Sequence, residues 1–316
     1  MDRMKPVVTK QFDVAVVGEI NVDLILQGNV EPEFGQVEKI VQDCRLSVGS
    51  SAAIFACGAA RLGFRTAFIG IAGEDTFGRF MVAEMEARGI DTAGVILKSG
   101  LDTGISVILA RQTDRAILTY PGSIPELTLA DIDLSILSRS RHLHLASYFL
   151  LERLRPDVPV LLEKARELGC SISMDTNYDP AQQWNSGLLD VFKQVDIFLP
   201  NETEIKAITR QTDLAKAIDA ILQRGPVVVV KLGRDGAIAK SPGGDAIQQQ
   251  ALQVQVVDTV GAGDSFDAGF IYGYLSGLDW HQSLKLATIC GSLSTQKSGG
   301  TRAQPTLDQA YQYLQG

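Results

Sequence analysis

The chain has 316 residues and a formal net charge of −8, with 45% hydrophobic and 21% charged residues. This is an ordinary globular composition with ample core material, and the length allows one large or two smaller domains. The acidic balance, without any cluster of basic residues, argues against nucleic-acid binding. The start, MDRMKPVVTKQ, lacks the apolar core of a secretory signal, and no run approaches the roughly 18 apolar residues of a membrane span.

The four cysteines are far apart in the sequence. Cys44, Cys57, Cys170 and Cys290 form no C-x-x-C pair. That spacing predicts small hydrophobic side chains in a reducing cytoplasm rather than a metal cluster.

The first predicted strand is the apolar, β-branched run at residues 13–18. Asn21 and Asp23 follow it, and ligands of open α/β sheets bind at the carboxyl ends of strands. Asp23 is therefore either an acceptor for a substrate or a solvated turn aspartate.

Three stretches, residues 36–47, 103–109 and 116–120, have alternating or nearly alternating polarity. Short alternating strands are half-exposed, and they do not fit between the helices of a doubly wound core. We therefore expect a small inserted sheet at about residues 30–48 and 100–122.

A turn of small residues at Gly49, Ser50 and Ser51 leads into a predicted helix at residues 52–62, which either serine could cap. Further along, residues 141–146 form a predicted strand with His142 and His144 on one face. With no third ligand nearby in sequence, we expect histidines at the surface or on an edge face rather than a metal site.

Two later strands end in polar motifs. Residues 195–199 deliver Asn201 and Glu204, which have the spacing of a capping box. Residues 226–231 end at Lys231, which either approaches a phosphate or packs its stem along the strand.

Residues 258–275, DTVGAGDSFDAGFIYGYL, place Gly261, Ala262 and Gly263 before Asp264 and continue with helical spacing. Unpaired N–H groups at a helix start attract an anion, and glycine lets it approach closely. A carboxylate there can take a proton from an attacking hydroxyl. The alternative is a Gly-rich helix entry with Asp264 as the N-cap.

Two other nucleotide sites are excluded by the sequence. It contains no G-x-x-x-x-G-K-[ST] loop, and no G-x-G-x-x-G follows the first strand. The phosphate site is therefore expected at the GAGD helix start. Strands alternate with helices to the end, which predicts a single α/β domain over residues 1–316 with a doubly wound, mostly parallel sheet.

These motifs together resemble the ribokinase-like (PfkB-type) carbohydrate kinases. GAGDSFDAGF resembles the carboxyl-terminal signature, and SVGSSAAIFACGAARLG at 47–63 resembles the amino-terminal one. GEINVD at 18–23 resembles the substrate turn, and NETE at 201–204 matches N-x-x-E. The four matches occur in family order and span nearly the whole chain. They indicate the family but not the substrate.

The resemblance implies in-line transfer of the γ-phosphoryl group of ATP to a sugar hydroxyl, with Asp264 as general base. The N–H groups of Gly261, Ala262 and Gly263 would stabilise the transferring group. The implied sugar-binding residues are Asn21, Asp23, Gly49, Ser50, Ser51, Tyr120, Tyr148, Asn177 and Asp264. The implied ATP-site residues are Asn201, Glu204, Lys231, Gly233, Gly236, Gly261, Gly263 and Gly300.

The resemblance also implies metal ions and a partner. Mg²⁺ is expected near Glu204 through water, and a monovalent cation such as K⁺ near Asp258 and Val260. The small sheet is expected to cover the sugar as a lid and to form a homodimer interface.

The chain departs from the family pattern at several positions. Ser50 replaces a second glycine, and Ile54 replaces an asparagine, which puts ribose-type recognition in doubt. Tyr178 and Asp179 stand where sugar-acid kinases carry an arginine, which argues against 2-keto-3-deoxygluconate as substrate.

Two alternatives to a sugar kinase stay open. One is a nucleoside kinase, with Tyr120, Tyr148 or Phe149 stacking a base. The other is a non-catalytic sugar- or nucleotide-binding regulator, against which the intact GAGD and N-x-x-E motifs argue.

Overall fold

The structure is a computed structural model that describes residues 10–111 and 114–314. The strands are β1 (Phe12–Val17), β2 (Asn21–Gln27), β3 (Asp43–Val48), β4 (Thr66–Gly73), β5 (Asp91–Lys98), β6 (Gly104–Arg111), β7 (Asp114–Tyr120), β8 (Ser140–Leu145), β9 (Ser171–Met174), β10 (Ile197–Phe198), β11 (Val227–Lys231), β12 (Ala237–Lys240) and β13 (Ile247–Gln249). The α-helices are α1 (Ser51–Arg61), α2 (Thr76–Glu86), α3 (Leu134–Ser138), α4 (Val158–Glu167), α5 (Leu188–Val191), α6 (Glu202–Thr209), α7 (Leu214–Leu222), α8 (Ala262–Leu275), α9 (Trp280–Ser294) and α10 (Leu307–Leu314).

The larger sheet has nine strands in the order β13-β12-β11-β10-β9-β8-β1-β4-β5. The pairings from β11 to β5 are parallel, and β12 and β13 continue antiparallel at one edge. From β1 the chain first builds toward β5 and then returns to build from β8 outward. Ligands bind at such a reversal, at the carboxyl ends of the strands.

Both faces of this sheet are covered by helices, which is why its strands are apolar throughout. Val14 and Val16 of β1 pack on one face with residues of α1, α2 and α8. Ala15 and Val17 pack on the other face with residues of α4 and α7. The predicted doubly wound α/β fold is confirmed.

The smaller sheet has four strands in the order β3-β2-β6-β7. It contains β2, which pairs antiparallel with β3 and parallel with β6 and which the sequence analysis left outside the inserted segments. Residues 30–42 precede β3 without a strand, because they include Pro32 and Gly35 and are mostly exposed. Residues 112–113, inside the second expected insertion, lie outside the described part of the chain.

The two histidines of β8 are buried, contrary to the expected surface or edge position. His142 contacts the hydroxyls of Ser171 and Ser173, and His144 contacts Ser173 and stacks on Phe55 with ring centroids 3.7 Å apart. Burial lowers the pKa of His144 to about 3, so both histidines pack as neutral rings in a central strand.

Within residues 10–111 and 114–314, no helix is long and apolar enough to cross a membrane.

Candidate active site

Several polar residues meet at one edge of the large sheet, among them the predicted Asn201 and Lys231. Strand β11 ends at Lys231. Each of the other central strands is followed within three residues by a polar side chain: β1 by Glu19, β8 by Ser147, β9 by Asp175 and β10 by Asn201. Helices α1 and α8 begin at the same edge, since Ser51 at the start of α1 hydrogen-bonds to Glu19 and Asp267 of α8 to Lys231.

Helix α8 begins at the glycine-rich turn that the sequence predicts to bind an anion. Gly261 is its N-cap, with φ 70° and no side-chain capping bond, so Asp264 is not the N-cap. The N–H of Ala262 donates to Thr259 O at 3.3 Å, whereas those of Gly261, Gly263 and Asp264 have no backbone acceptor in the described residues. These three amides, including the predicted Gly261 and Gly263 but not Ala262, are therefore the candidates to bind a phosphate oxygen.

Tight packing explains why glycine occupies this turn. A Cβ at Gly261 would lie 2.7 Å from Gly300 Cα and 2.8 Å from Cγ2 of Ile54. A Cβ at Gly300 would lie 2.5 Å from Cδ1 of Ile54. The side chain of Ile54 therefore packs against the turn at residues 261–263, which is called the phosphate turn below because it is the predicted phosphate site.

Asp264 is a half-buried carboxyl in the first turn of α8. Burial and the negative charge of Asp175 raise its pKa well above its usual range, and Lys231 opposes them. A raised pKa suits a general base, because it strengthens the affinity for the proton that is removed.

Asn21 and Asp23 lie on β2, facing the turn before α1. Asn21 Nδ2 donates to Asp23 Oδ1 at 3.3 Å, and a Cβ on Gly49 would lie 2.4 Å from the same oxygen, so this position needs glycine. Burial and the charge of Asp258 raise the pKa of Asp23 to about 7, while Arg115 opposes them.

Ser106 and Thr119 of the small sheet lie beside Asn21 and Asp23, although they were not among the predicted site residues. Asn21 Nδ2 lies 3.5 Å from Ser106 Oγ, which is 3.0 Å from Thr119 Oγ1. Both residues belong to alternating strands, and the polar member of such an alternation is the only sequence signal for them.

Ser50, Ser51 and Asn177 form a second polar group. Ser50 caps α1 by accepting the N–H of Ala53 at 3.0 Å. Asn177 Nδ2 donates to the hydroxyls of Ser51 and Ser147, each at 3.2 Å. Ser50, Ser147 and Asn177 have positive φ values of 67°, 57° and 55°. Backbone strain at three neighbouring non-glycine residues is typical of a functional site.

The three aromatic residues predicted to contact a substrate differ in their exposure. Tyr148 is 1% exposed and its hydroxyl donates to Ser186 O at 2.7 Å, so the structure argues against its predicted contact with the sugar. Phe149 is 2% exposed in the same core. Tyr120 is 52% exposed at the end of β7.

Lys231 lies between two carboxylates beside the phosphate turn. Its Nζ is 2.7 Å from Asp175 Oδ2 and 2.9 Å from Asp267 Oδ2. A Cβ on Gly263 would lie 3.6 Å from the same Nζ. Lys231 is therefore next to the expected phosphate position, but its hydrogen bonds go to carboxylates.

Charge within this cluster is unevenly distributed. Burial alone would raise the pKa of Asp175, but the charge of Lys231 and hydrogen bonds from Asp267, Lys231 and the Asn177 N–H together hold that pKa below its usual value. Burial raises the pKa of Asp267 well above its usual value despite Lys231. Asp175 is therefore the ionised partner, and Asp267 is the first to take a proton.

Asn201 and Glu204 form the predicted capping box of α6. Asn201 N donates to Glu204 Oε2 at 2.8 Å, and Glu204 N to Asn201 Oδ1 at 2.9 Å. Burial and the charge of Asp175 raise the pKa of Glu204 to about 7. The described residues contain no cluster of three or more His, Cys, Asp or Glu able to hold a metal. Asn201 and Glu204 alone therefore cannot enclose a metal ion. They fit a Mg²⁺ ion that would keep most of its water ligands, as Mg²⁺ at a phosphate site usually does.

Asp258 links two loops on the other side of the phosphate turn. It accepts hydrogen bonds from the N–H groups of Val260 at 3.0 Å and Gly299 at 2.9 Å.

In the turn after β11, Gly233 and Gly236 have φ values of 60° and 90°, and a Cβ at Gly236 would meet Gln249 O at 1.9 Å. Both glycines are thus needed for the shape of that turn.

A helix start with open N–H groups and a carboxyl of raised pKa lies at the same sheet edge as a group of hydrogen-bonding side chains. This combination is what a phosphotransferase with an alcohol as acceptor requires. A family profile described as pfkB family carbohydrate kinase matches residues 11–307. The chain belongs to this family, and the predicted resemblance is confirmed.

Two relatives illustrate the similarity. A 5-dehydro-2-deoxygluconokinase of Geobacillus thermodenitrificans is 30% identical over 321 aligned positions, covering 97% of this chain and 94% of that protein. An uncharacterised sugar kinase of Archaeoglobus fulgidus is 31% identical over 249 positions, covering 78% of this chain and 98% of that protein.

Solved structures show the same fold. A ribokinase of Arabidopsis thaliana, solved with ribose and ATP, matches at a TM-score of 0.84 and 24% identity over 96% of this chain and 99% of that one. A double-mutant fructokinase of Vibrio cholerae, solved with fructose, ADP and potassium, matches at a TM-score of 0.81 and 25% identity over 97% and 99%. The family match and the curated relatives make the protein a phosphotransferase that acts on a carbohydrate hydroxyl.

Proposed function

We propose that the protein transfers the γ-phosphoryl group of ATP to a sugar hydroxyl by in-line attack, with Asp264 as the general base. The observation that carries this is the start of α8, where open N–H groups of Gly263 and Asp264 adjoin a carboxyl of raised pKa. The amides stabilise charge on the transferring group while the carboxylate takes the hydroxyl proton. Asp23 and Asn21 orient the acceptor.

The decisive test is Asp264→Asn, assayed by ADP release with the best sugar. We expect turnover to fall by about two orders of magnitude or more, with nucleotide binding nearly unchanged, because general-base contributions run to roughly 10²–10⁴. Calorimetric titration with ATP monitors binding separately. An Asp264→Asn variant with near-normal turnover would remove Asp264 from this role.

The sugar itself is left to a panel of neutral pentoses and hexoses, sugar acids and nucleosides. The relatives named 5-dehydro-2-deoxygluconokinases favour including that sugar acid. Two residues argue against a sugar acid, because they stand where sugar-acid kinases carry an arginine. Tyr178 is half-exposed, and the carboxylate of Asp179 accepts three backbone N–H groups of its own loop. A nucleoside has less support, because Tyr148 and Phe149 are buried away from any base.

Mg²⁺ and a monovalent cation complete the proposal. Mg²⁺, held by phosphate oxygens and through water by Glu204, would supply charge neutralisation on the phosphates. The loops that Asp258 ties together, with Val260 and Gly300, are the proposed position for K⁺. The similar fructokinase was solved with potassium. Replacing KCl by tetramethylammonium chloride at constant ionic strength should lower turnover.

The small sheet is proposed as a lid and as the homodimer interface. Phe34, Ile40 and Leu118 on and beside it are 100%, 81% and 61% exposed, and β7 is an edge strand. A large exposed apolar patch favours association. Sedimentation velocity should therefore show a dimer.

The four cysteines are free thiols, and three of them are buried, which supports the proposed cytoplasmic location.

A further inference from the structure

Glu19 is a buried carboxyl that the predicted machinery does not use. It lies in the turn between β1 and β2 and is 3% exposed. Oε1 accepts the N–H of Ser51 at 2.9 Å, whereas Oε2 is buried without a hydrogen-bond partner in the described residues. One oxygen of this carboxyl is therefore explained by the start of α1, and the other is not.

An unpaired buried carboxyl oxygen is expensive. Burial raises the pKa of the Glu19 carboxyl, while hydrogen bonds from its own backbone, Ser147, Ser51 and Ser50 oppose the rise. Leaving a buried acceptor without a partner costs roughly 1–3 kcal/mol, and more where the acceptor is ionised. The other buried side-chain oxygens without a partner in residues 10–111 and 114–314 are hydroxyls, those of Ser123, Thr176 and Ser283. A carboxylate in this state suggests that a ligand supplies the missing donor.

The neighbours of Glu19 place it inside the sugar site. Ser50 donates its hydroxyl to Glu19 O at 2.6 Å, and the Ser51 hydroxyl accepts from Asn177. The negative charge of Glu19 also raises the pKa of both Asp23 and Asp264, so its carboxyl lies near the residue that orients the acceptor and near the base.

We propose that Glu19 is a sugar-binding residue: its Oε2 accepts a hydrogen bond from an acceptor hydroxyl other than the one that is phosphorylated. This inference rests on the proposed sugar kinase function and adds a specificity determinant to it. With Oε1 held by Ser51, the carboxylate presents a fixed acceptor. It favours a substrate that carries a hydroxyl at that position and disfavours one that carries a hydrogen or a carboxylate there.

The test combines Glu19→Gln with monodeoxy analogues of the best sugar. Gln keeps an oxygen for the Ser51 N–H but replaces Oε2 by a donor. For wild type, we expect one analogue to lose about 10- to 100-fold in kcat/KM, the range for a hydrogen bond to a charged group. For Glu19→Gln, the KM for the parent sugar should rise by a similar factor. The kcat/KM values of this variant for the parent sugar and for that analogue should then differ by no more than about threefold. The KM for ATP should not change.

The matched control is Asp213→Asn, which neutralises the exposed carboxylate that caps α7 through the N–H of Lys216 at 2.9 Å. It should leave every sugar KM unchanged. If Glu19→Gln folds with a normal melting temperature and all deoxy penalties persist, the proposal is wrong and Glu19 only supports α1. If the Gln variant does not fold, Glu19→Asp, which withdraws the carboxylate by one methylene, is compared in the same way.

Failure of the kinase function would be recognised separately. In that case wild type itself would release no ADP with any sugar. Calorimetric titration of wild type and Glu19→Gln with the sugars alone would still report on the contact. Equal sugar affinities in the two proteins would overturn the proposal, and weaker binding to the variant would support it.

Discussion

Replacing Lys231 by methionine should destabilise the protein and shift the pH dependence of its reaction. The ammonium group is 2.7 Å from Asp175 and 2.9 Å from Asp267, and their side chains are 9% and 1% exposed. Removing one partner of a buried ion pair leaves an uncompensated charge, which costs about 3–5 kcal/mol. Methionine preserves most of the side-chain volume, so a cavity contributes little to this loss.

That loss is large enough to measure in two ways. It should lower the free energy of unfolding in urea by about 3–5 kcal/mol, and the melting temperature of a chain of this length by about 5–8 °C. Lys231 also lowers the pKa of Asp264. Its removal should therefore raise that pKa, and the acid limb of the kcat/KM profile should move to higher pH.

Lys240→Met is the matched control, since Lys240 pairs with Asp219 at 2.7 Å at the surface, with side chains 29% and 52% exposed. Exposed pairs contribute at most about 1 kcal/mol. Adding Asp267→Asn to Lys231→Met should recover part of the lost stability by removing one unpaired carboxylate. A Lys231→Met protein within about 1 kcal/mol of wild type would refute the buried-charge reasoning.

Two further changes test the sugar and phosphate sides. Burial and the charge of Asp258 raise the pKa of Asp23 to about 7. A raised carboxyl pKa costs stability as pH rises from the unfolded value of about 3.9 toward 7, up to about 4 kcal/mol above pH 7. Asp23→Asn should therefore be more stable than wild type at pH 8, equally stable near pH 4, and weaker in sugar binding. Equal unfolding curves at pH 8 would contradict this. Gly261→Ala places a Cβ 2.7 Å from Gly300 Cα at φ 70° and should raise the KM for ATP at least about tenfold. Gly277→Ala, with φ 78° and open space, should cost only about 1–2 kcal/mol of stability and leave the KM unchanged.

Local features were predictable where a short stretch decides them. The glycines and apolar spacing of 261–275 predicted the start of α8, and the capping box at Asn201 and Glu204 formed as expected. Strand β2 was missed because its pairing with β3 and β6 depends on distant segments. His142 and His144 were misplaced because alternation in RHLHL suggests a wet face, while helices cover both faces of the sheet.

The sequence by itself determined the family, the start of α8 and the position of the carboxyl proposed as its base, because these depend on residues adjacent in the chain. Only the tertiary structure decided which charges meet. Lys231 lies 56 and 36 residues from Asp175 and Asp267, and Glu19 lies 32 residues from Ser51. Desolvation and Coulomb interactions depend on burial and distance in space, so the raised pKa values and the unpaired oxygen of Glu19 appear only once the strands have assembled.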